Sequence, residues 1–154
     1  MAKVILHVED DEDAVFLFQH AMTEVAADCL IRAVTDGQMA IDYFEGKGKF
    51  QDRDAFPMPW LVLLDLKLPQ VPGLEVLKWI RSEAGSTVPV VILSSSQHAD
   101  DIAGAYKLGA NAYLVKPSDL RQLLEMAKMI QGFWIMQNTL LPDSAKPDRP
   151  LTEP

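Results

Sequence analysis

Five short apolar runs alternate along the chain with five longer stretches in which apolar residues recur every three or four positions. The runs occupy residues 4–8, 30–34, 60–64, 88–93 and 112–115. Short β-branched runs predict buried strands, and the wider spacing predicts helices, the last over residues 118–136. Because the runs are apolar on both faces, we expect a parallel sheet covered by helices on both sides. The pattern therefore predicts an α/β fold with a doubly wound, five-stranded parallel sheet.

Two polar stretches stand apart from this alternation. Residues 46–59 contain glycines and prolines, which predicts that most of this connection is a loop. From residue 138 onward prolines and charged residues dominate, so we expect a mostly disordered tail over residues 138–154. The chain is thus predicted to contain one folded domain, residues 1–137, followed by that tail.

Composition narrows the classes of partner. The formal net charge of −8 argues against binding to duplex nucleic acid or to an anionic membrane surface, because both need a basic footprint. Cys29 is the single cysteine, which excludes an internal disulfide and disfavours a cysteine metal cluster. No apolar stretch has the length of a signal peptide core or a membrane span, so we expect a cytoplasmic protein.

Polar residues follow four of the five predicted strands. Glu9 and Asp10 come directly after the first strand, and Asp65 after the third. Ser94 follows the fourth strand and Lys116 the fifth. The carboxyl ends of parallel strands meet at one edge of the sheet, and ligands bind at that edge. We therefore expect these five side chains to converge in one crevice.

Several carboxylates in one crevice need either one protonated member with a raised pKa or a cation among them. Two carboxylates about 4 Å apart repel by roughly 4 kcal/mol at an effective dielectric constant near 20. Clustered carboxylate oxygens are the ligands that Mg²⁺ prefers, and this ion keeps coordination sites for a substrate phosphate. Lys116 and Ser94 supply a positive charge and a hydroxyl for phosphoryl oxygens. The set predicts phosphoryl transfer to Asp65, with Mg²⁺ as cofactor and an acyl phosphate as product.

Four segments carry a resemblance to a known family. They are residues 8–11, 64–69, 90–95 and 109–117. In this order and spacing they resemble the response-regulator receiver domain of two-component signalling, over about residues 3–136. The resemblance implies the (βα)5 flavodoxin-like receiver fold and a sensor histidine kinase as phosphate donor. It also implies a phosphoacceptor that supports its own phosphorylation and dephosphorylation, rather than an enzyme.

The resemblance also assigns the metal site. Asp65 would be the phosphoacceptor and a metal ligand, and Asp10 would bind the metal directly. Glu9 would act mainly through a water molecule, and Lys67 would contribute its backbone carbonyl.

A second group of residues would respond to the phosphoryl group. The resemblance makes Ser94 the switch hydroxyl, Lys116 the phosphate-contacting lysine, and Tyr113 a switch aromatic that rotates inward on phosphorylation. It also implies a cis peptide bond before Pro117, an uncommon geometry even for proline.

Softer features resemble a narrower group. The long connection over residues 47–59, the Leu-Pro pair after the phosphoacceptor, and the Gly-Phe-Trp sequence at 132–134 look like the stand-alone regulators paired with bacterial phytochromes. This resemblance implies a phytochrome light-signalling system. Its output would be a protein contact or onward phosphate transfer.

The last predicted helix is apolar on more than one face. Beyond its inner stripe, Met126, Met129, Phe133 and Met136 widen the apolar arc. Methionine-rich surfaces suit adaptable protein contacts, so we expect an interface here. The resemblance suggests a homodimer through the face of the fourth helix, fifth strand and fifth helix. The alternative is that the tail covers this surface.

Two neighbours of the acidic pair have simpler interpretations. Asp11 is predicted to cap the first helix rather than to bind metal. His7 lies within the first strand and is predicted to be a hydrogen-bonded core side chain.

Three other functions use a similar sheet. A degenerate receiver that never carries phosphate would be a binding module, but the complete polar set disfavours it. A small aspartyl phosphohydrolase needs a second acid two residues after the nucleophile, where this chain has Lys67. A flavin-binding protein needs a phosphate-binding loop after the first strand, where Glu9 and Asp10 would repel the phosphate.

Overall fold

The computed structural model describes residues 3–25 and 28–142. The five strands are β1 (Lys3–Val8), β2 (Cys29–Val34), β3 (Leu61–Leu64), β4 (Val90–Ser94) and β5 (Ala112–Val115). The five α-helices are α1 (Glu12–Glu24), α2 (Gly37–Glu45), α3 (Gly73–Ser82), α4 (Ala99–Lys107) and α5 (Leu120–Met129). A 3₁₀ turn at Gly48–Gln51 follows α2, and a π-helix at Ile130–Gln137 continues α5. Strand bounds lie within two residues of the predicted ones.

The strands form one parallel sheet in the order β2-β1-β3-β4-β5. In the centre, Val8 of β1 is in register with Leu64 of β3, and Leu64 is in register with Ile92 of β4. The residues that follow β1 and β3 are therefore neighbours at one edge. The predicted doubly wound α/β fold is confirmed.

Helices cover both faces of the sheet because the strands are apolar on both. One buried cluster joins alternate strand residues such as Leu6 and Leu64 to α2, α3 and Ala105 of α4. The other joins residues such as Ile5 and Leu63 to α1 and α5. The period-two alternation of a strand sends neighbouring side chains to opposite clusters, which gives three layers.

The connection between α2 and β3 is largely irregular, as predicted, but it is packed. The rings of Tyr43, Phe50 and Phe56 contact one another, with centroids 5.0–6.0 Å apart. The Arg53 guanidinium donates hydrogen bonds to the carbonyls of Tyr43 and Phe44 at the end of α2, at 2.7 and 2.8 Å. These bonds help to satisfy carbonyls at the last turn of α2, where the Tyr43 carbonyl also accepts from the Gly46 N–H at 3.3 Å.

The last helix departs from the predicted continuous α-helix. After Met129 it becomes a π-helix, and side chains from the amino ends of β1 and β3 bind its carbonyls. Trp60 Nε1 donates to the Trp134 carbonyl at 2.9 Å, and Lys3 Nζ donates to the Ile135 carbonyl. Most of the predicted tail, residues 143–154, lies outside the described residues.

The four predicted interface residues do not share one environment. Met126 is buried in the core between α1 and α5, so its assignment to an exposed interface is wrong. Met129, Phe133 and Met136 are more than half exposed. Met126 lies on the buried face of α5 with Leu123 and Ala127. The sequence alone could not distinguish this buried face from the rest of the apolar arc.

Within the described ranges, no helix has the length and apolar character needed to cross a membrane.

Candidate phosphoacceptor and metal site

Asp65 lies directly after β3, with only 6% of its surface exposed. Its backbone N–H donates to the Val8 carbonyl of β1 at 3.1 Å, which fixes the residue at the sheet edge. Its Oδ1 accepts from the Lys67 N–H at 3.2 Å, and its Oδ2 accepts from Lys116 Nζ at 2.8 Å. A buried strand therefore ends in a carboxylate whose two oxygens are both held.

Glu9 and Asp10 bring two further carboxylates to Asp65. One carboxylate oxygen from each of the three lies within 4.8 Å of the others. Glu9 is buried, and its oxygens accept from Lys116 Nζ at 2.7 Å and from the Asp11 N–H at 3.2 Å. Asp10 is exposed. The predicted convergence of the first and third strand ends is thus observed.

Lys116 holds Asp65 and Glu9 together. Its backbone N–H donates to the Ser94 carbonyl at 2.9 Å, which places it beside the end of β4. Burial alone would lower the pKa of Lys116, but its hydrogen bonds to Asp65 and Glu9 outweigh burial and raise that pKa. The Lys116 ammonium therefore stays charged and binds the carboxylates of both Glu9 and Asp65.

One ammonium does not neutralise the cluster. Three ionised carboxylates and Lys116 leave an excess of two negative charges. Burial raises the pKa of Glu9 in spite of the hydrogen bond from Lys116, and the Asp65 charge raises it further. A divalent hard cation would supply the missing charge, and an oxygen donor set with one exposed carboxylate suits Mg²⁺.

The loop after Asp65 is held by two glycines whose role the sequence did not reveal. A Cβ on Gly73 would lie 2.1 Å from the Asp65 carbonyl oxygen, so only glycine permits this approach. A Cβ on Gly37 would lie 2.1 Å from the Val71 carbonyl oxygen. Between them Gln70 has a positive φ of 68°. In the sequence, the only sign of this role is that both glycines stand at the starts of predicted helices. The close backbone contacts depend on how α2 and α3 pack.

Ser94 and Tyr113 meet at the loop after β4. Ser94 is fully buried, and its Oγ accepts a hydrogen bond from the Ser96 N–H at 3.1 Å. The Tyr113 hydroxyl donates to the Ser96 carbonyl at 2.8 Å, and its ring is partly buried. Tyr113 is therefore already turned toward this loop.

A model of the family described as response regulator receiver domain matches residues 5–128. The chain belongs to this family. Among curated relatives, it is 35% identical to the response regulator Rcp1 of Synechocystis sp. over 90% of this chain and 92% of Rcp1. It is also 37% identical to the probable methanogenesis regulatory protein FilR2 of Methanothrix harundinacea, over 88% of this chain and 85% of FilR2.

Solved structures of receivers agree with the fold. The phosphorylated cyanobacterial phytochrome response regulator RcpA has a TM-score of 0.82 and 36% identity, over 90% of this chain and 98% of RcpA. The Mn²⁺-bound form of Rcp1 has a TM-score of 0.78 and 34% identity, over 91% of this chain and 99% of Rcp1. A similar receiver thus binds a divalent cation, and this chain has an acidic cluster that can do so.

The predictions for Asp11 and His7, which lie near the acidic pair in sequence, have different outcomes. Asp11 caps α1, because its side chain accepts from the N–H groups of Asp13 and Ala14. His7 is buried beside Phe18, but its Nδ1 has no hydrogen-bond partner within the described part of the chain. The prediction of a hydrogen-bonded histidine is wrong for that atom. Burial and the charge of Lys116 lower the pKa of His7 to about 4.

The peptide bond before Pro117 is trans in this receiver, and no cis bond occurs among residues 3–25 and 28–142. The cis geometry expected from the resemblance is therefore wrong for this structure. The two isomers of a bond before proline differ by only about 0.5–1 kcal/mol in unstrained chains, so local sequence cannot choose between them.

Proposed function

We propose that this receiver accepts a phosphoryl group from a sensor histidine kinase onto Asp65, with Mg²⁺ as cofactor. The observation that carries the proposal is the position of the buried Asp65 carboxylate. It lies 2.8 Å from the Lys116 ammonium and within 4.8 Å of carboxylate oxygens of Glu9 and Asp10. A nucleophile, a cationic group and a metal-binding cluster therefore share one crevice.

The proposed reaction moves one phosphoryl group. A carboxylate oxygen of Asp65 forms a bond to phosphorus while the P–N bond of the kinase's phosphohistidine breaks, and the imidazole leaves with the electron pair. A bound Mg²⁺ supplies Lewis-acid stabilisation of the charge on the phosphoryl oxygens. Lys116 then exchanges part of its contact with Asp65 and Glu9 for a phosphoryl oxygen. The Ser94 hydroxyl donates a hydrogen bond to another phosphoryl oxygen.

Different burial supports different roles for the two leading acids. Asp10 is exposed, so it can bind the metal directly without first breaking internal contacts. Both Glu9 oxygens are already engaged, by Lys116 and by the Asp11 N–H, which favours action through a water molecule. The Lys67 N–H donates a hydrogen bond to Asp65, which holds Lys67 beside the cluster. We therefore assign the backbone carbonyl of Lys67 as a further metal ligand.

The same contacts weigh against the alternatives. A degenerate receiver does not require a buried aspartate, a buried serine and a partly buried lysine at one edge, and this chain has all three. Lys67 stands where an aspartyl phosphohydrolase has its second acid, so we propose a phosphoacceptor and not an enzyme that turns over a separate substrate. The acidic pair after β1 would repel a flavin phosphate.

The experiment is incubation with acetyl phosphate and Mg²⁺, followed by intact-mass measurement. The wild type is expected to gain one phosphoryl group, and Asp65→Asn none. Asp54→Asn is the matched control, since it removes the same charge from an exposed position in the connection before β3. A phosphate adduct that survives Asp65→Asn would contradict the assignment.

We further propose that the kinase is a phytochrome. Support comes from the likeness to RcpA, whose name states a phytochrome pathway, and from the long packed connection before β3. The chain is about as similar in sequence to FilR2, whose name states a methanogenesis regulator, so the phytochrome link needs a direct test. Phosphotransfer from a purified phytochrome kinase is expected to be faster than from unrelated histidine kinases, and equal rates would contradict the link.

We also propose that the exposed apolar side chains of the last helix form a homodimer contact that continues the face of α4, β5 and α5. Met129, Phe133 and Met136 are each more than half exposed, and Met126 is no longer part of this set. Sedimentation at high micromolar concentration is expected to show a dimer that Phe133→Glu dissociates. A monomer in both phosphorylation states would exclude this surface as a dimer contact.

A further inference from the structure

Ser96 lies at the centre of four hydrogen bonds. It is buried, and its N–H donates to Ser94 Oγ at 3.1 Å, while its carbonyl accepts from the Tyr113 hydroxyl at 2.8 Å. Its own hydroxyl donates to Asp101 Oδ2 and accepts from the His98 N–H at 3.3 Å. One residue therefore connects Ser94, Tyr113 and the first turn of α4.

Helix α4 has few other attachments of this kind. Ala105 is the one buried residue of the nine in α4, all of which the structure describes. The N-cap residue His98 makes no capping hydrogen bond through its side chain in the described structure. Asp101, in the first turn, directs its carboxylate to Ser96. The start of α4 is thus tied to the β4–α4 loop through this one side-chain pair.

The geometry leaves the Ser94 hydroxyl ready to donate. Because Ser94 Oγ already accepts from the Ser96 N–H, its proton is available for a phosphoryl oxygen on Asp65. A donor that is positioned before the reaction needs no reorganisation when charge develops, and this increases the rate. The position of Ser94 Oγ depends on the position of Ser96, which in turn depends on Asp101.

We propose that Asp101 is a positioning residue for the phosphorylation of Asp65. Through Ser96 it holds the Ser94 hydroxyl and the Tyr113 hydroxyl in place, and it couples both to α4. The inference rests on the proposed function and adds to it the contact by which the site and the α4 face influence each other. When Ser94 moves toward a phosphoryl group, Ser96 moves with it and pulls on the first turn of α4.

Three variants test this assignment by their rate of phosphorylation with acetyl phosphate and Mg²⁺. Asp101→Ala removes the acceptor and is expected to slow the rate by about three- to tenfold, the range for the net loss of one typical hydrogen bond. Asp101→Asn keeps an acceptor oxygen and is expected to restore most of the rate. Asp100→Ala removes the same charge from the exposed neighbour and is expected to change the rate by less than about twofold.

A spectroscopic measurement without phosphate separates this inference from the proposed function. In protein labelled with 3-fluorotyrosine, Tyr113→Phe assigns the ¹⁹F signal of Tyr113 among the signals of the three tyrosines. Asp101→Ala is expected to move that signal toward its position in unfolded protein, and Asp101→Asn and Asp100→Ala are not. Should Asp101→Ala fail to fold, Ser96→Ala breaks the same bond from the other side and is expected to move the signal equally.

The outcomes are distinct. Absence of phosphorylation in the wild type would refute the proposed function, while the ¹⁹F shift would still report the Asp101–Ser96 contact. A wild type that is phosphorylated normally, with Asp101→Ala matching Asp100→Ala in rate and spectrum, would overturn the positioning role. A slower rate without any change in the Tyr113 signal would also overturn it, because the effect would not pass through Ser96.

Discussion

At the carboxyl edge of the sheet two buried carboxylates share one ammonium, whereas at the amino edge side-chain donors meet neutral backbone carbonyls. Glu9 and Asp65 contact Lys116 at 2.7 and 2.8 Å, and Asp10 adds further negative charge. At the other edge, Trp60 and Lys3 donate to carbonyls of the π-helix, and Lys3 Nζ lies 4.4 Å from the Trp60 ring centroid. The first edge has an excess of negative charge that a cationic ligand can neutralise, whereas the second pairs side-chain donors with neutral acceptors.

Function and stability depend on different edges of the sheet. Buried like charges are unfavourable unless a cation joins them, so the carboxyl edge is prepared for binding at the expense of stability. At the amino edge, Trp60 and Lys3 donate to carbonyls of the π-helix and attach the last helix to the sheet. Changes at the two edges are therefore expected to affect different measurements.

The largest expected effect is at the carboxyl edge. Lys116→Met is expected to slow phosphorylation of Asp65 by about 10²–10³-fold, as for loss of one charged group that stabilises a transition state. It should also tighten Mg²⁺ binding, because the ammonium no longer competes for the carboxylates. Rates with acetyl phosphate and calorimetric Mg²⁺ titration measure the two effects. The matched control is Lys107→Met, an exposed lysine on α4; equal loss in both variants would contradict the role of Lys116.

The next largest effect is the pH dependence of stability that arises from His7. This residue is buried in β1, two positions before Glu9. Its pKa is lowered to about 4 in the folded state, below the ordinary value of 6.5. On acidification the unfolded state therefore binds a proton first. Stability from the buried neutral ring is complete above about pH 6.5 and is lost as the pH falls toward 4. Across that window the loss is expected to be at most about 3 kcal/mol.

Urea unfolding at several pH values, in the absence of metal, measures this loss. In His7→Leu this component of the pH dependence is expected to disappear, since no proton-binding group remains at that position. His98→Gln changes an exposed histidine and should keep the wild-type profile. A profile of His7→Leu that parallels the wild type would contradict the effect of burial on His7.

The smallest effect is at the amino edge and should leave the chemistry intact. Trp60→Phe removes the indole donor to the Trp134 carbonyl and is expected to cost about 0.5–1.5 kcal/mol of unfolding free energy from the hydrogen bond. Phosphorylation of Asp65 should proceed at the wild-type rate. A rate loss comparable to that of Lys116→Met would show that the two edges are not separable.

The sequence was informative where chemistry depends on strand order and strand ends. Asp65 and Lys116 are 51 positions apart, yet both follow apolar runs, and parallel strands bring such positions to one edge. The pattern therefore predicted the sheet and the charged cluster from local information alone.

Features that depend on tertiary packing could not be predicted this way. The Arg53 contacts with the end of α2 and the Ser96–Asp101 bond form between side chains whose spacing carries no distinctive signal. Met126 and Met129 share an apolar arc in sequence, and only the orientation of α5 on the sheet buries one and exposes the other. The isomer before Pro117 depends equally on the folded surroundings.

We propose that the acidic cluster requires a hard divalent cation before it can accept phosphate. Isothermal calorimetry of Mg²⁺ binding to the wild type and to Asp10→Asn measures this requirement, because Asp10 is the exposed member of the cluster. We predict binding at millimolar Mg²⁺ or below in the wild type and at least about tenfold weaker binding in the variant, with phosphorylation reduced in parallel. Equal affinities, or no Mg²⁺ binding by the wild type at millimolar concentration, would show that the cluster does not require the cation.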